Sequence, residues 1–187
     1  MSSFLESDIV KEIINYKCPR YEEFPDIGLY MEQLIEFLQS NLKVFATSPD
    51  EKLITSTMVN NYVKQRIIEP PVHKRYSRYQ VLLLYVITIL KQVLSIANTK
   101  ELIGMALEMY PIEIAFNFFC VEFEKSLHSV FVTRDFSAKS SASKVTEYSE
   151  LFRSELLAVS NKIYITKYIE YKKSGLDTDS EQKNSLE

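Results

Sequence analysis

The stretch LITSTMVNNYVKQRIIEPPVHKRYSRYQ, residues 53–80, decides how this chain folds. It opens with Thr55 and Ser56, which are residue types that begin helices. Pro70 and Pro71 end that helix, because proline lacks the amide donor that a helix interior needs and restricts the residue before it. Between these limits, apolar side chains recur at helical spacing and predict one buried face, formed by Met58, Val59, Tyr62, Val63 and Ile67.

A short basic segment and a second helix follow the prolines. The basic segment is His73-Lys74-Arg75-Tyr76. Ser77 and Gln80 then form a Ser-x-x-Gln capping box, in which the hydroxyl and the amide each satisfy a backbone donor at the helix start. Residues 81–90 are apolar except for Thr88, which predicts a buried helix that is too short to cross a bilayer. A short helix, a proline turn, a basic segment and an apolar helix are the order of a winged helix-turn-helix.

The composition favours an all-α protein with a buried core. The chain has 187 residues, of which 46% are hydrophobic, and these include 12 tyrosines and 11 phenylalanines. Three glycines are fewer than a strand-rich protein with tight hairpins would need. Cys18 and Cys120 lack the spacing of a metal or redox site and indicate a reducing compartment. Residues 1–14 carry four charged side chains and do not resemble a signal peptide, so we expect a cytoplasmic protein.

Turn signals and apolar periodicity divide the chain into four segments. Residues 1–24 are predicted to form an N-terminal helical arm, which contains a short amphipathic helix over residues 7–16. Residues 25–109 contain the winged helix-turn-helix, and residues 110–173 form a helical C-terminal region. Residues 174–187 are polar and mostly acidic, and they are predicted to be a disordered tail.

Two helix starts are predicted within the segment of residues 25–109. The first is Asp26, because Ile27, Met31 and Leu34 continue with Leu38 at helical spacing. The second is the capping-box-like Asn98-x-x-Glu101.

The charge of the chain is unevenly distributed. The total is −3, yet residues 60–80 contain five basic side chains and one acidic side chain, so this segment carries +4 and the remainder −7. A locally basic module on an acidic body can bind nucleic acid. A solvated surface patch without a ligand is the alternative interpretation of the charge alone.

The sequence shows no arrangement that predicts catalysis. The two histidines, His73 and His128, have no cysteine or carboxylate nearby at metal-ligand spacing. A glycine-rich phosphate loop and a nucleophile elbow are both missing. We therefore expect no enzyme, no metal and no cofactor.

Residues 58–81 resemble the winged helix-turn-helix of the MerR type, whose pattern is T-L-R-Y-Y-E-x-x-G-L-I-x-P, then a wing with Y-R-x-Y-S, then a helix. Residues 58–62 correspond to T-L-R-Y-Y, residues 67–70 to L-I-x-P and residues 73–77 to the wing. Residues 25–107 are still more similar to an uncharacterised bacterial family known only as a domain of unknown function and described as having a MerR-like DNA-binding fold. The resemblance implies a MerR-like winged helix-turn-helix followed by a helical C-terminal dimerisation or sensing region.

The chain departs from the MerR pattern at three positions. Arg66 occupies the glycine position before L-I-x-P, where the turn geometry depends on the residue. Asn60 occupies the position of the helix arginine and brings no charge. Lys74 occupies the position of the wing arginine and offers a point charge where arginine offers a planar fork. These departures weaken the expected affinity for phosphate.

If residues 55–67 form a recognition helix, the side chains off its apolar face would meet DNA. Asparagine is suited to adenine in the major groove, and basic residues near the wing would hold the phosphate backbone. Because Lys74 and Arg75 lie between a double proline and a capped helix, we expect their side chains to be free for phosphates. The predicted DNA-contacting residues are Ser56, Thr57, Asn60, Asn61, Lys64, His73, Lys74, Arg75 and Arg78.

These observations favour a sequence-specific transcriptional regulator that binds double-stranded DNA as a homodimer, with no membrane partner. The large apolar residues of residues 112–171 exceed what a two-helix hairpin buries alone, so they are the expected dimerisation surface. The same region could enclose an apolar effector, although Phe118, Phe119, Phe123 and Tyr148 are more typical of a core than of a pocket. The alternative function is a helical protein–protein interaction module whose helix-turn-helix no longer binds DNA.

Overall fold

The computed structural model describes residues 4–48, 50–137, 139–142 and 144–175. Over these residues the chain folds into helices without a β-strand, which confirms the all-α expectation. The predicted tail lies outside the described residues from residue 176 onward. The α-helices are α1 Asp8–Ile14, α2 Met31–Leu42, α3 Ser56–Lys64, α4 Arg78–Leu90, α5 Ile96–Met109, α6 Ile112–His128 and α7 Glu147–Lys173.

Shorter helical segments complete the fold. Single 3-10 turns occur at Phe4–Glu6, Tyr21–Glu23 and Lys43–Phe45, and a π-helical turn, Ser129–Thr133, continues α6. Within the described part of the chain, no helix combines the length and the hydropathy needed to cross a bilayer.

Helix α4 is buried on all of its faces. Every residue from 80 to 90 is buried, including the two polar residues of that run. The hydroxyl of Thr88 donates to the Leu84 carbonyl at 2.7 Å, so it needs no contact outside the helix. Because a helix without a polar face must be enclosed, α2, α5 and α7 all pack against α4.

Aromatic rings join the two sides of the predicted boundary at residue 110. The ring of Phe116 on α6 lies 5.0 Å from that of Phe24 and 5.8 Å from that of Tyr85 on α4. Phe119 and Phe123, one and two turns further along α6, are also fully buried in the same cluster. Much of the apolar surface of residues 112–171 is therefore buried within the chain itself, against α4 and its neighbours.

Local capping residues determine where most helices begin. Ser7 caps α1 and Thr146 caps α7, as each side chain accepts a hydrogen bond from a backbone amide of the first turn. Helix α1 thus confirms the predicted amphipathic helix, with slightly shorter bounds. The predicted start of α5 at Asn98 is wrong by three residues: Ser95 is the cap, and its hydroxyl accepts from the Asn98 amide at 3.1 Å.

The predicted start of α2 at Asp26 is also wrong, since the helix begins at Met31. Leu29 instead forms an isolated antiparallel bridge with Tyr76, and their backbone amides and carbonyls exchange bonds of 2.9 and 2.8 Å. Backbone groups used in a bridge cannot also belong to a helix. Ile27, which was expected on the apolar face, is consequently 73% exposed.

Gln80 connects the start of α4 to the turn that precedes it. Its Oε1 accepts from the Ser77 amide at 2.8 Å, which confirms the predicted capping box. Its Nε2 donates to the carbonyls of Glu69 at 2.7 Å and Pro70 at 3.3 Å. The buried side-chain amide of Gln80 thus bonds the Ser77 amide at the start of α4 and two carbonyls of the proline turn.

Gln80→Leu is expected to lower the free energy of unfolding by about 1–3 kcal/mol, because it leaves polar backbone groups without their partner in a buried position. Chemical denaturation of both proteins measures the difference. Gln65→Leu is the matched control, since Gln65 is exposed just beyond α3. Equal losses in the two variants would contradict the bridging role of Gln80.

Candidate nucleic-acid interface

Helix α3 has one buried face and one exposed polar face. Thr55 caps its start, with Oγ1 accepting from the Met58 amide at 3.2 Å. Val59 and Tyr62 are buried, and Met58 and Val63 are half-buried beside them. The apolar stripe predicted from the spacing is therefore the face by which α3 packs on the body.

The end of α3 differs from the prediction of a helix extending to Ile67. The helix ends at Lys64, and Arg66 adopts a left-handed conformation with φ of 55°. The Arg66 amide donates to the Val63 carbonyl and the Ile67 amide to the Tyr62 carbonyl, both at 2.9 Å. This Schellman arrangement usually has glycine at the left-handed position. An arginine therefore occupies the left-handed position that glycine usually takes at a helix end.

The exposed face of α3 consists of small polar side chains and one lysine. Its members make no side-chain hydrogen bond or ion pair with any other described residue. Because they are not committed to the body, their donors and acceptors are accessible to a ligand. These residues are Ser56, Thr57, Asn60, Asn61 and Lys64.

The segment predicted as a wing is a tight turn, residues 72–75, which we call the basic turn. Val72 and Arg75 exchange two backbone hydrogen bonds, of 2.9 and 3.2 Å, across it. The two central residues, His73 and Lys74, have φ of 48° and 63°. Positive φ at both central positions is the type I′ geometry, which usually takes asparagine or glycine. The turn therefore holds the His73 and Lys74 side chains in solvent at its tip.

The base of the basic turn is fixed against residues 28–30. Arg75 lies over the Tyr30 ring at 4.7 Å, and its Nη2 donates to the Tyr30 hydroxyl at 3.1 Å. A Cβ at Gly28 would lie 2.9 Å from the Arg75 Cβ, so only glycine fits there without displacing the turn. The expectation of a free side chain therefore holds for Lys74 within the described structure but is wrong for Arg75.

Arg78 is also engaged within the chain. Its Nη2 lies 3.3 Å from the Asp26 carboxylate, and its guanidinium lies over the Tyr21 ring at 5.1 Å. These contacts attach residues 21–26 to the start of α4. No local sequence pattern indicates that Asp26, Gly28 and Tyr30 contact the basic residues, because their partners are more than 40 residues away along the chain.

Side chains at the two ends of α4 bond the chain on either side of α3. At the C-terminal end of α4, Lys91 Nζ donates to the Leu53 carbonyl at 2.8 Å and contacts the Met58 sulfur at 3.5 Å. At the N-terminal end, Gln80 holds the proline turn. The chain between Lys64 and Val72 can span at most about 28 Å. That reach is shorter than one turn of duplex DNA, about 34 Å, so one duplex could contact both elements.

Of the nine predicted contact residues, the structure leaves seven side chains uncommitted within its described part. Five of these form the exposed face of α3, and two form the tip of the basic turn. Arg75 is exposed but stacked on Tyr30, and Arg78 is half-buried in an ion pair. The arrangement can offer amide and hydroxyl groups to base edges and cationic groups to phosphates.

Among the described residues, the other polar groups form no comparable site. The described residues include no cluster of three or more histidine, cysteine or acidic side chains that could hold a metal. Cys18 and Cys120 are both buried, and burial raises the pKa of the Cys120 thiol well above its usual range. A thiol held in its protonated form is a poor nucleophile.

Comparison with known proteins adds one finding. Residues 19–118, more than half of the chain, match the family described as Domain of unknown function (DUF1836). The matched part contains α2 to α5, the basic turn and the first seven residues of α6. No curated protein and no solved structure matches the chain.

Arg66→Gly is expected to raise the free energy of unfolding by about 1 kcal/mol, because it removes the steric cost of a left-handed backbone at a non-glycine residue. Thermal unfolding measures the change. Arg66→Ala is the control, since alanine keeps that cost but removes the charge. If alanine stabilises as much as glycine, then the gain comes from charge and the strained conformation is not its cause.

Proposed function

We propose that this chain, which belongs to the DUF1836 family, is a cytoplasmic transcriptional regulator that binds double-stranded DNA through a MerR-like winged helix-turn-helix. The observation that carries the proposal is the uncommitted polar face of α3 beside the exposed tip of the basic turn. No other described surface combines exposed amides on a helix with a projecting basic turn.

In this proposal α3 enters the major groove. Asn60 and Asn61 lie on the exposed face and carry the amide that pairs with the N6 and N7 edge of adenine. Ser56 and Thr57 lie in the first turn, where hydroxyls and free backbone amides can bond a phosphate. Lys64 at the other end adds a cation for the adjacent backbone.

The basic turn acts as the wing and contacts the phosphate backbone. It is attached to residues 28–30 through the Leu29–Tyr76 bridge, and the His73 and Lys74 side chains point away from the body into solvent. A wing packed on its own C-terminal helices would instead have favoured an interaction module. Arg75 uses one of its five donors on Tyr30, so it can still bond a phosphate.

Backbone conformation on this surface supports a ligand-binding role. Arg66, His73 and Lys74 all have positive φ, and among the described non-glycine residues only Arg134 shares that feature. Such conformations are costly and concentrate at functional sites. Keeping cationic or polar side chains at three such positions is consistent with selection for their chemistry.

Two observations favour the second candidate, a helical protein–protein interaction module. Asn60 stands where the MerR pattern has an arginine, and Arg78 is neutralised by Asp26. Both features lower the positive charge available for DNA. The two candidates differ in whether binding to duplex DNA depends on salt.

Lys74→Ala is expected to weaken binding to every duplex alike and to flatten the slope of log affinity against log salt by about 0.9, because each phosphate contact releases condensed counterion. Salt titrations on a selected duplex and on its scrambled version measure both effects. Asn61→Ala should instead reduce the preference for the selected duplex, by about 1–3 kcal/mol, and leave the slope unchanged.

Lys100→Ala is the control for a general loss of charge, since Lys100 is an exposed lysine on α5. Arg75→Ala is a less clean variant, because it also removes the contact that fixes the basic turn to Tyr30. An intact protein that shows no salt-dependent binding to either duplex would contradict DNA binding and favour the interaction module.

We further propose that the protein binds DNA as a homodimer, because a single unit of this size covers little DNA. Much of the C-terminal apolar surface is buried around α4, so the candidate interface is narrower than the sequence predicts. It includes the outer face of α7, where Ile165 is 58% exposed and Ile169, one turn later, is 46% exposed. Exposed isoleucines one turn apart form a stripe suited to a symmetric helix contact.

Light scattering is expected to give twice the 21.8 kDa mass of the chain. Ile165→Lys combined with Ile169→Lys should give the mass of one chain, because the contact would have to bury two ammonium groups without partners. Asn98→Lys on α5 is the control for added charge. A single mass for the unmodified protein at the concentrations where it binds DNA would disprove the dimer.

A further inference from the structure

An apolar cavity of about 420 Å³ lies among α4, α5, α6 and the first two turns of α7. Its floor is made of buried core residues, among them Leu83 and Val86 on α4 and Phe119 on α6. Its mouth is lined by side chains that are partly exposed, including Met109 and Tyr148. Phe119 and Phe123 lie in the core as expected, although Phe119 also lines the cavity. Phe118 and Tyr148, which were also expected in the core, line the cavity and are partly exposed.

We propose that this cavity binds a small apolar molecule that carries one anionic group, such as a medium-chain carboxylate. The volume falls within the range of about 300–1,000 Å³ that is typical of small-molecule sites. A cavity with apolar walls gains little from water and favours an apolar occupant. None of the nine predicted DNA-contacting residues lines it, so the proposal does not rest on DNA binding.

The anionic group follows from the polar side chains at the mouth. Asn117 uses its Oδ1, which accepts from the Tyr21 amide at 3.3 Å, and its Nδ2 donors stay available for an anion. The Ser149 hydroxyl donates to the Thr146 carbonyl at 2.8 Å. Lys144 is the cationic side chain among the lining residues, and it forms no hydrogen bond or ion pair with another described residue. The Lys144 ammonium at the rim can therefore pair with the anionic group of a ligand whose apolar part lies in the cavity.

The wall beside Lys144 is held in place by a buried charge. Glu122 on α6 is 2% exposed, and its Oε1 accepts from the Ser141 amide at 2.6 Å. Arg153 on α7 donates to the other carboxylate oxygen at 2.8 Å, and Lys125 adds a third contact. Burial alone would raise the pKa of Glu122, but the bonds from Ser141 and Lys125 outweigh burial and hold the pKa below its usual range. These bonds hold Ser141, one of the residues that line the cavity, against α6.

Calorimetric titration of the full chain with decanoate, and separately with decanol, tests the proposal. The unmodified protein should bind one decanoate, and Ala106→Phe should abolish binding because its ring fills the space that Ala106 lines. Ala97→Phe is the matched control, since Ala97 is exposed on the same helix. Lys144→Met should weaken decanoate about fivefold and leave decanol unchanged. Lys139→Met, in the same loop, controls for that change and should leave both affinities unaltered.

Three results would overturn the proposal. The first is no binding of decanoate below its micellar concentration and of decanol below its solubility limit, or binding that survives Ala106→Phe. The second is equal affinity for decanoate in the unmodified protein and in Lys144→Met. That result would contradict the proposal that the ligand carries an anionic group bound by Lys144. The third is a dimer that Ala106→Phe converts to a monomer without any decanoate binding, which would make a second copy of the chain the occupant. Should Ala106→Phe not fold by circular dichroism, the Lys144→Met comparison still decides.

Discussion

Eleven consecutive buried residues make α4 the helix on which the rest of the structure depends. An amphipathic surface helix buries one face against the protein, but a helix that is apolar on all faces must be packed against other elements on every side. The segment before residue 110 covers α4 with α2 and α5, and α6 and α7 cover the rest of it. The phenylalanines of α6 therefore pack into the same core as Phe24 and Tyr85, and the chain forms one continuous core where the turn signals at residues 110–111 indicate a boundary.

The polar groups at the two ends of α4 position the candidate interface. Gln80 holds the proline turn at one end, and Lys91 holds the start of α3 at the other. Lys91 is partly desolvated, and burial lowers the pKa of its ammonium from the ordinary value. Side-chain bonds to backbone carbonyls thus connect a rigid apolar helix to a surface whose own side chains are left uncommitted. The middle of the same helix contributes Leu83 and Val86 to the cavity floor.

The features that the sequence predicted correctly depend on neighbouring residues. The caps at Thr55 and Ser77, the buried stripe of α3 and the burial of residues 81–90 all follow from spacings of a few residues. Two of the errors come from distant partners. Leu29 pairs with Tyr76, which delays the start of α2 to Met31, and Arg75 packs on Tyr30, 45 residues before it. The exposed polar side chains of α3 were predictable from periodicity, but the cavity was not, because its walls are assembled from four helices.

Helix α4 and the candidate interface differ in burial, and this difference determines which parts of the protein unfold locally. Amide hydrogens of α4 lie in the centre of the core, so they can exchange with solvent only when the whole chain unfolds. Helix α3 and the basic turn make fewer buried contacts than α4, so we expect their amides to exchange through smaller, local openings. Hydrogen exchange should therefore separate the chain into a slow centre and a fast margin. The surface proposed to meet DNA lies in that fast margin, where it can adjust its orientation at little cost to overall stability.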